Sequence, residues 1–84
     1  MTKTKLIDHL RKTFPNMPLV EDGQEMGWGK NTILIGAEGN PHANYWDKNN
    51  NDTFFGIDQK LYDECSSNGW YPEWNDAGTL LLFN

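Results

Sequence analysis

The chain of 84 residues is 37% hydrophobic and has a formal net charge of −5, with 12 acidic residues against 7 Lys and Arg. That length accommodates one domain over residues 1–84 and no second one, and the acidic balance disfavours direct binding to a nucleic-acid backbone. A single cysteine excludes an intrachain disulfide, no stretch is long and apolar enough for a membrane span, and no secretory leader pattern opens the chain, so we expect a cytoplasmic protein.

The first predicted element is an amphipathic helix over residues 4–14. Thr2 and Thr4 are candidate N-caps, and Pro15 ends the helix. His9 lies away from much of the apolar stripe, so we expect it to be exposed together with the basic face of the helix. The apolar residues with helical spacing are Leu6, Ile7, Leu10 and Phe14.

The middle of the chain predicts three strands joined as an antiparallel meander. Residues 32–37 form the clearest strand, because they are a continuous β-branched and aliphatic run. Residues 24–29 alternate weakly, and residues 42–46 end in aromatic side chains. Turn signals at residues 21–23 and 38–41 separate these segments from their neighbours.

After a polar loop, a short strand over residues 53–57 leads to a second helix. Asp58 is its predicted N-cap, and Gly69 is able to adopt the left-handed conformation that ends helices. The apolar face of this helix consists of Leu61, Tyr62 and Cys65.

The C-terminal residues predict a hairpin of strands 70–74 and 79–83 across a turn at 75–78. Residues 80–83 are apolar on both faces, which indicates a central or helix-covered strand. The segregated elements predict an α+β fold with an antiparallel sheet of about four to five strands, a meander plus a C-terminal hairpin, packed with two helices.

One loop resembles the calcium loop of EF-hand proteins. Asp47, Asn49, Asn51 and Asp58 match its first, third, fifth and twelfth positions, where oxygen ligands wrap a hard cation. Asp52 stands where that loop has glycine, the last ligand is Asp and not Glu, and no helix precedes the loop. The alternative interpretation is a solvated turn whose last aspartate caps a helix, and we predict no metal and no cofactor.

No catalytic arrangement stands out in the sequence, and we predict a protein that is not an enzyme. Cys65, His42 and an aspartate can be combined into a triad, but such residues occur together by chance in most domains. Gly27 and Gly29 lack the third glycine and the following helix of a dinucleotide site.

Aromatic and acidic residues are interleaved in the C-terminal half, which predicts a surface that binds a protein partner. Residues 1–12 hold four cations and one acid, whereas the rest of the chain holds three lysines and eleven acids. A basic protein surface would be attracted by that charge, although the acids would also serve solubility alone. The predicted contact residues are Tyr45, Trp46, Asp47, Trp70, Tyr71, Glu73, Trp74 and Asp76.

The C-terminal half also resembles small, mostly uncharacterised proteins encoded by bacteriophages and prophages. The similarity is in Tyr45-Trp46, Phe55-Gly56-Ile57, Leu61 and the aromatic run from Gly69 to Thr79 with the apolar strand after it. It implies a phage-type accessory protein in a bacterial cytoplasm that binds a host protein with a basic surface. Inhibition by occlusion of that surface, as in anti-CRISPR proteins, is one expected mode.

Two alternatives remain open at this point. One is a metal-binding or small enzymatic module centred on residues 47–58, and the other is a self-assembling phage component. The oligomeric state does not follow from the sequence.

Overall fold

The computed structural model describes residues 1–84 and contains two α-helices, a 3-10 helix and six strands, which is the α+β fold that the sequence predicts. None of the helices has the length and apolarity needed to cross a bilayer. In chain order the elements are α1 Lys3–Thr13, β1 Val20–Asp22, β2 Thr32–Gly36, the 3-10 helix Tyr45–Asp47, β3 Thr53–Phe54, β4 Ile57–Asp58, α2 Gln59–Ser66, β5 Tyr71–Asp76 and β6 Thr79–Phe83.

Helix α1 begins and ends within a residue of its predicted limits. The Thr2 hydroxyl accepts a hydrogen bond from the Lys5 backbone N–H, so it caps the first turn as expected. The Phe14 N–H donates to the Leu10 carbonyl at 2.8 Å and closes the last turn. Leu6 and Leu10 are fully buried, and this stripe anchors the helix in the core.

The prediction that His9 is exposed is wrong. Its side chain is half-buried, and Nε2 lies 2.7 Å from Oε2 of Glu64 in α2. The two helices are far apart in sequence, so only their packing brings this pair together. His9 therefore links α1 to α2.

Four strands form one antiparallel sheet in the order β1-β2-β6-β5. Strand β6 is central, as its two apolar faces predict, and it pairs with β2 through Ile33↔Leu82 and Ile35↔Leu80. These residues face the helices and are fully buried. The opposite side, which we call the helix-free face, presents Leu34, Leu81, Tyr71, Glu73 and Phe83, because side chains alternate along each strand.

Two predicted strands in the middle of the chain are absent. Residues 24–29 form consecutive turns, because Gly27 and Gly29 have φ angles of 85° and 118° that break an extended chain. Residues 42–46 contribute one isolated bridge at Ala43 and then enter the 3-10 helix. The Asn44 side chain caps that helix by accepting from the Trp46 N–H.

The residues predicted as a turn at 21–23 are instead mostly strand. Val20–Asp22 pairs with β2, and Asp22 is fixed by a 2.8 Å ion pair with Lys3 of α1. The predicted turn residues Glu-Asp-Gly thus lie at the end of β1. Lys3, which is distant in sequence, holds Asp22, the last residue of β1, in the sheet.

The predicted strand at 53–57 is a small hairpin, with β3 and β4 joined by Phe55 and Gly56. Asp58 caps α2 as predicted, since its carboxylate accepts from the Lys60 N–H at 3.1 Å. Gly69 has a φ of 82° just after that helix, which also confirms the prediction. The hairpin of β5 and β6 follows, with a register irregularity near Asp76.

Candidate functional site

The eight predicted contact residues do not form a single face. Trp70 is only 3% exposed and belongs to the hydrophobic core, so its assignment as a surface contact is wrong. Tyr71 and Glu73 lie on the helix-free face, where they pair with Phe83 and Leu81. Asp76 lies at the end of β5, where its carboxylate accepts from the Gly78 N–H and stabilises the hairpin turn.

The other aromatic contacts, Tyr45, Trp46 and Trp74, come together on a different side of the molecule. The Tyr45 ring packs edge-on against Trp46, with centroids 5.2 Å apart, and against Trp74 at 5.4 Å. Such edge-to-face pairs stabilise the cluster beyond the area they bury. The 3-10 helix and β5 are therefore joined through aromatic side chains.

A second aromatic group continues the first. The Phe54 ring packs against two others, with its centroid 4.9 Å from that of Phe55 and 4.0 Å from that of Tyr62 in α2. The Trp74 indole Nε1–H donates to the Phe55 carbonyl at 2.7 Å and ties the two groups together. We call the whole set the aromatic ridge; its members are Tyr45, Trp46, Phe54, Phe55, Tyr62 and Trp74.

Two members of the ridge project into solvent. Trp46 is 81% exposed and Phe55 is 61% exposed, whereas Tyr45, Phe54, Tyr62 and Trp74 are half-buried. The half-buried rings form a packed base that restricts the two exposed ones. Exposed aromatic side chains held in this way are typical of binding anchors, because they lose little further entropy on association.

The backbone of Phe55 adds an independent observation. Its φ is +51°, the one positive value among non-glycine residues, and Gly56 follows with +84°. Two left-handed residues in a two-residue hairpin make a type I′ turn, in which Asn-Gly is favoured. A bulky residue in this conformation costs about 1–2 kcal/mol. Phe55 thus destabilises the turn, and its ring gains little from burial because it is mostly exposed. Stability therefore does not account for its presence.

Two acids without an ion pair lie beside the aromatic ridge. They are Asp47 and Asp52, which follow Trp46 in the chain and take part in none of the four ion pairs of the structure. A cation also lies there, since Lys48 Nζ stands 3.8 Å from the centre of the Tyr45 ring. The surface therefore combines exposed rings with uncompensated negative charge.

An open groove of about 520 Å³ runs beside Trp46. Its floor is made of small side chains from three segments, and Tyr45 and Trp46 form its wall. Asn40 fixes the loop at its edge, since its amide donates to the Gly36 carbonyl and accepts from the His42 N–H. The lining residues are Ala37, Glu38, Gly39, Asn40, Ala43, Asn44, Tyr45, Trp46, Ala77 and Gly78.

Of the four candidate calcium ligands, only Asp47 and Asp58 line a common groove. Asp47 accepts from the Asn50 side chain at 3.0 Å, and Asp58 is engaged by His42 and by the cap of α2. Asn49 and Asn51 are exposed. No three His, Cys, Asp or Glu side chains are arranged as a metal site. The geometry gives the metal-binding alternative no support.

Cys65, His42 and an aspartate, which the sequence allows to be combined into a triad, are not assembled either. Cys65 is fully buried, and this burial raises the pKa of its thiol to about 12. His42 instead bonds to Asp58 at 2.9 Å and packs against Phe14. The thiol therefore stays protonated and has no base beside it.

The His42–Asp58 contact makes part of the stability acid-sensitive. The hydrogen bond from His42 lowers the pKa of Asp58 from its ordinary 3.8, and the Lys60 N–H lowers it further, against the effect of burial. A lowered pKa in the folded state stabilises the fold above pH 3.8, and this contribution is lost as the pH falls through the folded-state value.

We therefore expect the Asp58→Asn variant, which keeps a competent N-cap, to be less stable than the parent at pH 6. The difference in unfolding free energy should shrink below pH 3.8. Urea titrations from pH 2 to pH 6 measure it. Asp63→Asn, at an exposed carboxylate of α2 without a side-chain partner, is the control and should show a smaller pH-dependent difference.

Sequence reasoning found Trp46 but missed Phe54, Phe55, Tyr62 and Glu38. The available signal was Phe-Gly between two short extended segments, which a two-residue turn would have explained. Comparison with protein-family models, with characterised proteins and with solved structures finds no match to this chain. The function of the chain is therefore inferred from the chemistry of its own surface.

Proposed function

We propose that this chain is a non-enzymatic binding protein that docks onto a basic surface of another protein through its aromatic ridge. The observation that supports this most directly is the pair of exposed rings, Trp46 at 81% and Phe55 at 61%, held on a packed aromatic base. Tryptophan is among the residues that contribute most at protein interfaces, where truncating such an anchor costs about 2 kcal/mol or more.

The charges complement the rings. Asp47 ends the 3-10 helix that contains Trp46, Asp52 lies in the loop after it, and neither forms an ion pair. Carboxylates at the rim of an interface steer a basic partner toward it and raise the association rate. Binding should therefore weaken as salt concentration increases.

The mode of action that we propose is inhibition by occlusion of that basic surface. The net charge of −5 supports it, because an acidic protein attracts a basic surface. The phage-type origin that the sequence resemblance implies extends this proposal to a bacterial host. A host protein in the bacterial cytoplasm is then the partner, and an anti-CRISPR-like inhibitor is one form of this activity.

Affinity capture from bacterial lysate at low and moderate salt tests the proposal with three tagged baits. These are the parent chain, Trp46→Ala, and the control Trp28→Ala, which removes a tryptophan that is 39% exposed in the β1–β2 connection. We expect a basic, salt-sensitive partner that the parent and Trp28→Ala retain and that Trp46→Ala loses by at least about tenfold. Capture that is equal for all three baits, or no capture by folded bait, would contradict the proposal.

A further inference from the structure

We infer that the groove beside Trp46 receives an arginine side chain of the partner, with the guanidinium against the indole and paired with Glu38. This inference rests on the proposed function and specifies what the partner presents to it. It depends on the small residues that line the groove, on its single charged side chain and on its aromatic side chains.

The floor of the groove is suited to a long side chain. Ala37, Ala43 and Ala77 present only methyl groups, and Gly39 and Gly78 present none. A volume of about 520 Å³ therefore remains open between the floor and the aromatic wall. An extended aliphatic stem can lie on these methyl groups while its polar end reaches the rim.

Glu38 is the only charged residue that lines the groove, and it takes part in no ion pair. Asn40 is held by bonds to Gly36 and His42, and the Asn44 oxygen accepts from the Trp46 N–H. Glu38 is thus the one lining group that can form an ion pair with an occupant. A bound apolar side chain would desolvate Glu38 without a partner, whereas a cation would neutralise it.

The aromatic wall favours a cation as well. Lys48 stands over the Tyr45 ring outside the groove, which shows that a ring of the aromatic ridge can hold a cation. The groove also adjoins a smaller one of about 330 Å³ that shares Asn40, Ala43 and Asn44 and is lined by three aspartates. Their potential reinforces that of Glu38 and disfavours an anionic occupant.

Among cations, arginine fits this chemistry better than lysine. Its planar guanidinium stacks on an indole face and pairs bidentately with a carboxylate, and it is more weakly hydrated than an ammonium group. Trp46 and Glu38 line the same groove and provide one group of each kind.

An NMR titration of the full chain tests the inference with three blocked amino acids, Nα-acetyl-arginine methylamide and its lysine and citrulline counterparts. Citrulline has nearly the same shape as arginine but no charge. We expect arginine to shift the Trp46 indole N–H and the Ala43 and Ala77 methyl groups saturably in the millimolar range that suits a ligand of this size. Citrulline should cause no saturable shift, and lysine should bind several-fold more weakly.

Glu38→Gln should weaken arginine binding about tenfold and Trp46→Ala should abolish it, while Glu25→Gln, at an exposed acid of the β1–β2 connection, should leave it unchanged. Equal binding of arginine and citrulline, tighter binding of lysine, or shifts confined to residues outside the groove would overturn the inference. A captured partner that requires Trp46 but is indifferent to Glu38→Gln would also overturn it, and would leave the proposed function standing.

Discussion

Replacing Gly56 by alanine is expected to destabilise the protein by about 3–5 kcal/mol, the sum of a left-handed backbone penalty and severe crowding. Gly56 is buried and has a φ of +84°, and an added Cβ would lie 2.2 Å from the Asn44 carbonyl oxygen. That oxygen belongs to backbone, and the Asn44 N–H donates to the Gly56 carbonyl at 2.9 Å. Neither side of the contact can therefore yield as a flexible side chain would.

Gly69→Ala separates the two contributions to this loss. Gly69 has nearly the same φ, +82°, but an added Cβ there meets nothing within 4 Å. It should lose only about 1–2 kcal/mol, the cost of the backbone conformation alone. Urea unfolding of the parent and both variants measures the difference, and equal losses for the two variants would show that crowding against Asn44 is unimportant.

Replacing Phe55 by asparagine is expected to raise stability and to reduce partner binding together. Asn-Gly is the favoured pair for the type I′ turn at residues 55–56, so the variant should gain about 1 kcal/mol. It also removes a ring that is 61% exposed, which should weaken binding by about tenfold or more. A gain in stability paired with a loss of binding is the result expected of a residue retained for recognition.

Phe55→Tyr is the matched control, since it keeps both the aromatic ring and the backbone strain. Its stability and binding should stay close to those of the parent chain. Thermal unfolding and partner capture with the three proteins provide the two readings. If Phe55→Asn binds as well as the parent does, Phe55 lies outside the interface. If Phe55→Asn is less stable than the parent, the turn does not favour Asn-Gly over Phe-Gly.

The parts of the fold that local signals determine were predictable. Helix α1 has its Thr2 cap, α2 has the Asp58 cap and Gly69, and the apolar run in β6 indicated a central strand. The connection over residues 24–29 was not predictable, because its weak alternation favoured a strand, whereas two glycines with positive φ make it a series of turns. The pairing of β2 with β6 joins segments more than 40 residues apart, and no local pattern specifies it.

The site was predictable only in part, for similar reasons. Trp46 follows from its sequence context, but Phe55 enters the aromatic ridge through a turn conformation that phenylalanine disfavours. The burial of Trp70 follows from the sheet pairing and not from a local pattern. Trp70 and Trp74 have the same parity, and Trp74 pairs with the buried Leu80, whereas Tyr71 faces the opposite way.

The position of β6 in the sheet has a consequence for how the chain folds as it is synthesised. Ile33 and Ile35 of β2 obtain their partners Leu82 and Leu80 only once residues 79–83 have been made. At typical rates of translation the intervening residues take about 2–8 s to add. Throughout that interval the apolar side of β2 has no central strand beside it. The nascent chain is therefore most prone to aggregation and proteolysis before β6 emerges, and formation of this sheet is delayed until then.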